Sequence, residues 1–279
     1  MKNLKLLIAL LFILPVIPQQ ASAQKKVWLK YNLKKGEKYI SHMNANQDVD
    51  MEAQGQTISI NQIVTSDIST VVSDVTPKEI KTTNTLDKMT MKQTMFGQEL
   101  KYDSSDPSTF ASGRGKLLGD ALNKLIGKPY GITMDHLGNI SAYDLSALLK
   151  GNGKISGNIK SGNNYVIFPD HKVKVGDSWE ADIKPMKTDN MKIHIKYTLK
   201  KLSGKKATIG LDGTITANNI AGQNVDLSGT WTGEVVVNTK TGWTTASHIS
   251  QDIKMKEERN GMEIPVTISG IVTSTSEKK

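Results

Sequence analysis

The chain has 279 residues, carries 36 lysines and arginines against 27 aspartates and glutamates for a net charge of +9, and contains no cysteine. A chain without cysteine has no disulfides, no thiol catalysis, no thiolate metal site and no covalently attached haem. Hydrophobic residues make up 37% of the chain and its mean hydropathy is −0.35, so we expect a globular protein with a core and, after the N-terminal segment, no membrane-spanning helix.

The N-terminal segment has the three-part layout of a secretory signal peptide. Lys2 and Lys5 precede an apolar run from Leu6 to Ile17, and Ala21-Ser22-Ala23 forms a small-x-small cleavage site. We therefore predict that residues 1–23 are removed and that the protein is exported to the periplasm or the cell exterior. Because no cysteine follows the cleavage site, we expect no lipid anchor.

Apolar and polar residues alternate with a period of two through most of the mature chain. The pattern is clear over residues 27–33, 58–72 and 193–199, and it is typical of half-buried antiparallel strands. Turn residues separate the runs, and Asn260-Gly261 is the strongest hairpin signal. The sequence predicts about a dozen strands, several of them long.

The middle of the chain, residues 108–164, has a different pattern. Lys116 to Ile126 places its leucines on one face of a helix that Gly127 would end. A short hairpin over residues 130–143 follows, and Asp144 then caps a second short helix. Residues 151–164 are rich in Gly and Asn and read as a loop or linker. Two β-rich halves, residues 24–107 and 165–279, flank this insert.

Two short segments of the β-rich halves share one pattern: apolar, Lys, any residue, Gly, acid, any residue, aromatic. They are Leu33 to Tyr39 and Val173 to Trp179, which we call the two turn segments. The match suggests an internal duplication. The alternative is that a common combination of turn and strand has recurred by chance.

Together these patterns predict a mostly β protein of the α+β class. We expect one large curved antiparallel sheet with two short helices packed on it, in a single domain over residues 24–279. Curvature is expected because open sheets of more than about ten strands tend to curl or split. The alternative is two smaller β domains joined near residues 151–164.

The sequence contains no legible catalytic constellation. It lacks a Gly-x-Ser-x-Gly motif, and no two of its five histidines have a metal-ligand spacing. We therefore expect no enzymatic activity, no cofactor and no metal. Lysine pairs near turns favour soluble sheet edges over a nucleic-acid surface. Met89, Met91 and Met95 form a Met-x-Met-x-x-x-Met pattern, which suits either a Cu(I) site or, as we prefer, an apolar lining or core.

Residues 29–39 and 168–179 resemble an uncharacterised family of exported Bacteroidota proteins, a domain of unknown function. The family pattern is L-K-Y-x-L-K-x-G-x-x-Y early in the chain and F-P-x-x-x-V-x-V-G-D-x-W later. This resemblance implies the envelope of a Gram-negative cell and no activity or site residues. At the level of fold, long strands with short helices are similar to periplasmic lipoprotein carriers, which hold acyl chains between a curled sheet and helical lids.

We therefore predict an exported, non-enzymatic envelope protein that binds a lipid or other amphiphile in an apolar cavity. The amphipathic helix would act as a lid. The alternative is a structural or interaction protein with a packed core and no ligand, and a third reading is an enzyme acting on an envelope polymer. The oligomeric state is not predicted. The candidate lining residues are Leu117, Leu118, Leu122, Leu125, Met89 and Met91.

Overall fold

The computed structural model describes residues 25–53, 55–149, 165–183, 191–220, 223–259 and 262–279. Within these ranges the chain forms one 12-stranded antiparallel sheet and two helices, α1 (Gly113–Leu122) and α2 (Ser146–Leu149). The predicted signal peptide, the Gly/Asn-rich segment 151–164 and the Asn260-Gly261 turn lie outside the described residues. The strands are β1 (Lys38–Ala53), β2 (Gln56–Val75), β3 (Ile80–Met95), β4 (Gln98–Asp103), β5 (Pro129–Met134), β6 (Ile140–Asp144), β7 (Ser178–Ile183), β8 (Met191–Ser203), β9 (Lys206–Ile220), β10 (Gln223–Asn238), β11 (Thr244–Arg259) and β12 (Met262–Lys278).

The strand order is β6-β5-β3-β2-β1-β12-β11-β10-β9-β8-β7. Strand β3 has two neighbours on one edge: β5 pairs with its first part, residues 80–85, and β4 pairs with its last part, residues 90–95. The first and the last strand of the chain therefore pair at the centre of the sheet. The two outermost strands, β6 and β7, are consecutive in the chain but do not pair, so the sheet is not closed. A single sheet runs through both β-rich halves, and the prediction of a mostly β protein with one large antiparallel sheet is confirmed.

The period-two pattern places one set of side chains on the face of the sheet that carries the core, which we call the inner face. Tyr39 and Ala45 of β1 are buried on this face, whereas His42 and Asp48 on the opposite, outer face are exposed. A register shift between β2 and β3 next to Asp67 changes the parity of β3. Even-numbered residues near the start of β3 and odd-numbered ones near its end therefore both lie on the inner face.

Two non-sheet segments, residues 25–33 and 165–175, fill the inner face at one end of the strands; we call them the inner segments. Their core side chains are at most 3% exposed: Leu29, Tyr31, Leu33, Val166, Phe168 and Val173. Residues 27–33 were expected to form a strand, but only Val27 makes a bridge, to Val173. The amide of Tyr31 donates to the His136 carbonyl at 2.8 Å and that of Asn32 to the Thr241 carbonyl at 3.0 Å. The backbone of residues 27–33 is thus hydrogen-bonded to several separate elements. It does not form a strand ladder with any one of them.

The sheet curves around the inner segments. Strands β3 and β8 are seven steps apart in the sheet order, which corresponds to about 34 Å along a flat sheet. Nevertheless Ile80 of β3 and Tyr197 of β8 belong to one buried cluster together with Tyr31. The predicted curvature is therefore present, and the two wings of the sheet meet through the inner segments.

Glycines on the inner face allow this bending. A Cβ atom added to Gly233 of β10 would collide with the carbonyl oxygen of His248 on β11, and one added to Gly270 of β12 would collide with that of Asn46 on β1. At these two positions the neighbouring strand is so close on the inner face that there is room for the hydrogen of glycine but not for a Cβ atom. Such glycine positions are a known means of curving a sheet.

The two turn segments of the sequence adopt the same structure. Gly36 and Gly176 both have positive φ angles, of +87° and +95°, which favour glycine. The amide of Gly36 donates to the Val72 carbonyl at 2.9 Å, and that of Gly176 donates to the Leu199 carbonyl at 2.8 Å. The repeated sequence pattern therefore encodes one turn, built twice, that leads into β1 and into β7.

Helix α1 begins earlier and ends earlier than the predicted helix over residues 116–126. Past its end, Ile126 forms a parallel bridge with Leu86 of β3, and the Gly127 amide donates to the Leu86 carbonyl at 2.9 Å. Pairing with the sheet thus overrides the helical pattern at Leu125 and Ile126. Helix α2 follows Asp144, whose carboxylate accepts from the Ser146 amide at 3.0 Å, as the predicted cap requires.

Candidate ligand-binding face

Beyond the inner segments, the inner face of the sheet is apolar and only partly buried; we call this part the apolar face. Its side chains are in register across the central strands. Met51 pairs with Ile58 on β2 and with Val266 on β12, and Val49 pairs with Ile60 and Ile268 in the next row. The partly exposed members are Met43, Val49 and Met51 of β1, Ile58 and Ile60 of β2, Met91 and Met95 of β3, Ile253 and Met255 of β11 and Ile268 of β12.

The apolar face carries no charge on the central strands. Inner positions from Tyr39 to Met51 on β1, from Ile58 to Val72 on β2 and from Ser247 to Met255 on β11 have no charged side chain. Within these stretches the lysine and aspartate residues lie on the outer face. A surface of this kind suits hydrocarbon, since no charged group on it has to be desolvated.

A band of polar side chains crosses the inner face between the apolar face and the inner segments. It contains every buried polar side chain of the described residues: Ser66, Thr70, Thr82, Asn84, Thr244, Ser247 and Ser274. Ser41 and Ser276 extend it on β1 and β12, and we call these nine residues the polar band. All of them are uncharged, and they come from strands β1, β2, β3, β11 and β12.

Hydrogen bonds link members of the polar band across neighbouring strands. Thr70 Oγ1 donates to Asn84 Oδ1 at 2.7 Å, and Asn84 Nδ2 donates to Thr82 Oγ1 at 3.1 Å. On the other side, Ser41 Oγ donates to Ser276 Oγ at 3.0 Å, and this oxygen also accepts from Trp243 Nε1 at 2.8 Å. Burial of these groups is therefore offset by mutual hydrogen bonding.

A cavity of about 60 Å³ lies against the polar band. Met43 and Ile68, the apolar neighbours of the polar band on the inner face, border it on one side, and Tyr130, Tyr165 and Trp243 border it from the core side. Burial raises the pKa of Tyr165 to about 12, so this hydroxyl is neutral at physiological pH. The volume is enough for about two water molecules at ~30 Å³ each, or for a small polar group.

Ser66 is the exception in the polar band. It is 5% exposed, and its Oγ has no hydrogen-bond partner within the part of the chain that the structure describes. It lies opposite Met43 and two residues from Ile68 on the same face, and both of these residues border the cavity. An unpaired buried hydroxyl costs about 1–3 kcal/mol, so its presence calls for an explanation.

A row of glutamines interrupts the apolar face nearer its open end. Gln93 Nε2 donates to Gln62 Oε1 at 3.1 Å, and Gln47 lies beside Gln62 in the strand register. Next to this row, a groove of about 770 Å³ separates the β3–β4 hairpin from the start of α1 and is bordered by Met95 and Arg114. The groove adjoins the inner face at its β3 side.

The structure brings only part of the predicted lining together. Met89 and Met91 lie half-buried on the inner face, where Met89 is paired with Ser66. Leu118 and Leu122 of α1 are partly buried over β4, at the side of the sheet, and Leu117 is 74% exposed. Leu125 packs against a separate small cluster formed by Tyr130, Ile132, Leu145 and Leu148.

Met89, Met91 and Met95 lie in line along β3 rather than around a point. Alternate residues of a strand are about 6.6 Å apart, so three thioethers in this arrangement do not converge on one ion through the backbone geometry alone. Within the described residues, no group of three His, Asp or Glu side chains is placed to hold a metal ion.

Two histidines form pairs with aspartates on the outer face that the sequence pattern did not reveal. His42 Nδ1 lies 2.7 Å from Asp67, and His194 Nδ1 lies 2.8 Å from Asp182. The hydrogen bond to Asp182 raises the pKa of His194. The other ring nitrogen of His194 faces Glu180 at 3.8 Å rather than a hydroxyl, so this pair resembles a surface ion pair more than a catalytic dyad.

Sequence reasoning missed the polar band, although a signal was present. Gln62, Ser66 and Thr70 have the same parity as the apolar residues of β2, so the alternation predicts them to face inward. A polar residue at an inward position is the informative exception in a half-buried strand. That Ser274 and Ser247 lie in the same band could not be predicted from the sequence, because it depends on the register with which β12 and β11 pair.

Comparisons with known proteins add little about function. A family of unknown function (DUF6263) matches residues 151–244, and no curated protein matches the chain. In the described residues no helix has the length and apolar character needed to cross a membrane.

Three solved structures show distant likenesses. A structure on lipid–protein interactions in lipovitellin has 10% identity and a TM-score of 0.47, and the match covers 88% of this chain but 25% of that one. The translocator domain of the autotransporter NalP from Neisseria meningitidis has 7% identity and a TM-score of 0.25, and the match covers 88% of this chain and 89% of that one. OccK7 (OpdD) from Pseudomonas aeruginosa has 6% identity and a TM-score of 0.22, with 87% and 100% covered. At these values none of the likenesses bears on function.

Proposed function

We propose that this chain is an exported, non-enzymatic envelope protein that binds a lipid or other amphiphile on the apolar face of its sheet. The observation that carries the proposal is an uncharged, partly exposed and largely apolar surface on the inner side of a curved sheet, crossed by one row of glutamines. Partly exposed Met and Ile side chains in register are suited to irregular hydrocarbon chains, because methionine adapts its shape.

The packing of the sheet supports a location for the proposed ligand. The inner segments fill the sheet at the end where β1 begins, with Leu29 and Tyr31 at 0% exposure. Among the described residues, the part of the inner face that is left uncovered is the far side of the polar band, and we place the hydrocarbon chain there. Helix α1, the predicted lid, contacts β4, and its start borders the groove beside Met95 at the β3 edge of this surface.

The filled end of the sheet also supports the second candidate, a structural or interaction protein without a ligand. In that case the apolar face would be covered by another part of the envelope, and the partly exposed residues would contribute to stability or assembly alone. The two functions differ in whether a small molecule accompanies the purified protein.

Native mass spectrometry of the protein purified from its own envelope separates these candidates. We expect a bound mass in the range of a lipid that is lost on denaturation. Two variants of β12 locate it: Ile268→Asn changes the apolar face, and Ile271→Asn changes the outer face, where Ile271 is 44% exposed. The bound mass should disappear in the first variant only. A clean apoprotein mass in repeated detergent-free preparations would favour the structural candidate.

Export is supported by the sequence pattern of residues 1–23. We expect the mature protein to begin at Gln24 and to be released by osmotic shock. N-terminal sequencing and cell fractionation test both points, and a protein held firmly in the membrane fraction would contradict them.

A further inference from the structure

We infer that the cavity at the polar band receives an uncharged, hydrogen-bond-accepting group of the ligand, such as an ester carbonyl, while the hydrocarbon chain lies on the apolar face. This inference rests on the proposed function and adds the chemical class of the ligand. It is carried by three features of the band: its unused donors, its lack of charge and its position beneath the apolar face.

The polar band has hydrogen-bond donors to spare. Ser66 Oγ has no partner among the described residues. Ser41 and Ser276 share one hydrogen bond between their hydroxyls, and Trp243 Nε1 can only donate to Ser276. One of the two serine protons is therefore left over. Asn84 uses one amide proton on Thr82 and retains a second.

The lining of the cavity selects against a charged group. None of its side chains is ionised: the tyrosines at its floor are neutral, and the remaining lining residues are Ser, Thr, Asn, Met, Ile and Trp. A carboxylate or phosphate placed here would lose its hydration without gaining a cation, which is far more costly than burying a neutral carbonyl. The lysines of β1 and β3 lie on the outer face. Lys278 of β12 has the inner parity but is already paired with Glu37.

The unpaired hydroxyl of Ser66 then has a physical reason. Ser66 is 5% exposed and does not itself line the cavity, but in the strand register it is flanked by Met43, which does, and by Met89. A change of rotamer at the flexible Met43 side chain opens the Ser66 hydroxyl to the ligand. A ligand with a carbonyl at the end of a chain would place the carbonyl oxygen against the band and the chain against the two methionines.

The test compares two probes that differ only in the polar end: methyl 9,10-dibromostearate and 9,10-dibromostearate at pH 8.5. Bromine quenches nearby tryptophans, and Trp231 lies on the inner face of β10 while Trp243 borders the cavity. We expect the ester to bind at least about tenfold more tightly than the carboxylate, because the carboxylate must be buried without a partner.

Ser66→Ala is the matching variant, and Ser59→Ala, on the exposed outer face of the same strand, is its control. Loss of one hydrogen bond should weaken ester binding by about 2- to 10-fold in Ser66→Ala, with little change for the carboxylate. Because the hydroxyl is unpaired without ligand, the melting temperature of Ser66→Ala should be equal to or above that of the unmodified protein. Ser59→Ala should leave both affinities unchanged.

The outcomes separate the inference from the function on which it rests. Equal binding of both probes, with no effect of Ser66→Ala, would overturn the inference and leave amphiphile binding in place. Tighter binding of the carboxylate would also overturn it. If neither probe quenched the tryptophans, both the inference and the proposed function would be refuted.

Discussion

Replacing Tyr31 with phenylalanine should destabilise the whole fold. The Tyr31 hydroxyl joins the two inner segments: it accepts from the Val166 amide at 2.9 Å and donates to the Val166 carbonyl at 3.2 Å. Both residues are at most 2% exposed. Burial raises the pKa of Tyr31 well above its usual value, as expected for a hydroxyl without access to water.

The expected loss follows from what Tyr31→Phe leaves behind. The ring and its packing remain, but the amide and the carbonyl of Val166 lose their shared partner in a dry environment. An unsatisfied buried polar group costs about 1–3 kcal/mol. Two such groups, with some relaxation of the segment, give an expected loss of about 3 kcal/mol in the free energy of unfolding.

Urea denaturation followed by circular dichroism measures this loss. The slope of the free energy against urea should stay the same, since the surface exposed on unfolding does not change. Tyr130→Phe is the matched control. Tyr130 is 8% exposed and borders the cavity rather than joining the two inner segments, so we expect a change below about 0.5 kcal/mol. A loss below about 1 kcal/mol in Tyr31→Phe would refute the idea that this hydroxyl holds the inner segments together.

Three further predictions address the bent sheet, a hairpin turn and the buried tyrosines. Gly233→Ala should lower the free energy of unfolding by about 3 kcal/mol in urea denaturation, because its Cβ would collide with a neighbouring carbonyl. Gly213→Ala is the control and should be tolerated, because its Cβ would lie 3.4 Å from the nearest atom, Cγ1 of Ile195. Equal effects of the two variants would contradict the close approach of the strands. Phe96 has a φ of +51° in the β3–β4 turn and is 71% exposed, so Phe96→Asn should raise the free energy of unfolding by about 1 kcal/mol; an unchanged melting temperature would speak against strain at this residue. Burial raises the pKa of Tyr165 and of Tyr197 to about 12, above the usual value of 10. Below pH 10 both hydroxyls are protonated in the folded and in the unfolded chain, so the stability is fully present. Above pH 10 the unfolded chain ionises first, so the free energy of unfolding should fall by about 1.4 kcal/mol per pH unit for each tyrosine up to pH 12. A urea midpoint that stays constant from pH 10 to 11.5 would contradict this.

Local patterns were sufficient to predict the strands and the turns. The alternation over residues 58–72 and 193–199 corresponds to β2 and β8, and both turn segments adopt the expected glycine turn. These features depend on residues two to four positions apart, whose geometry is set by side-chain alternation and by φ preferences. The same local reasoning was wrong for residues 27–33, which alternate in the same way but lie inside the sheet.

The parts that sequence reasoning missed depend on contacts between distant residues. The helical pattern at Leu125 and Ile126 was overridden by pairing with Leu86, some forty positions earlier (126 − 86 = 40). Likewise, the candidate lining was chosen from the helix and from Met89 and Met91, whereas the polar band is assembled from five strands. Only the register of those strands shows that Ser66 and its neighbours share one level of the sheet.

The pairing of β1 with β12 has a consequence for how the chain reaches its fold. Tyr39 pairs with Lys278, so a contact at the middle of the sheet joins residues 239 positions apart (278 − 39). During synthesis, two long meanders can form early, but each keeps an uncovered edge until the last strand arrives. Contacts of such long range form slowly, and exposed edges invite pairing with other chains. A chain shortened before β12 should therefore aggregate rather than fold as a smaller sheet, and the final seventeen-residue strand acts as the step that completes the molecule.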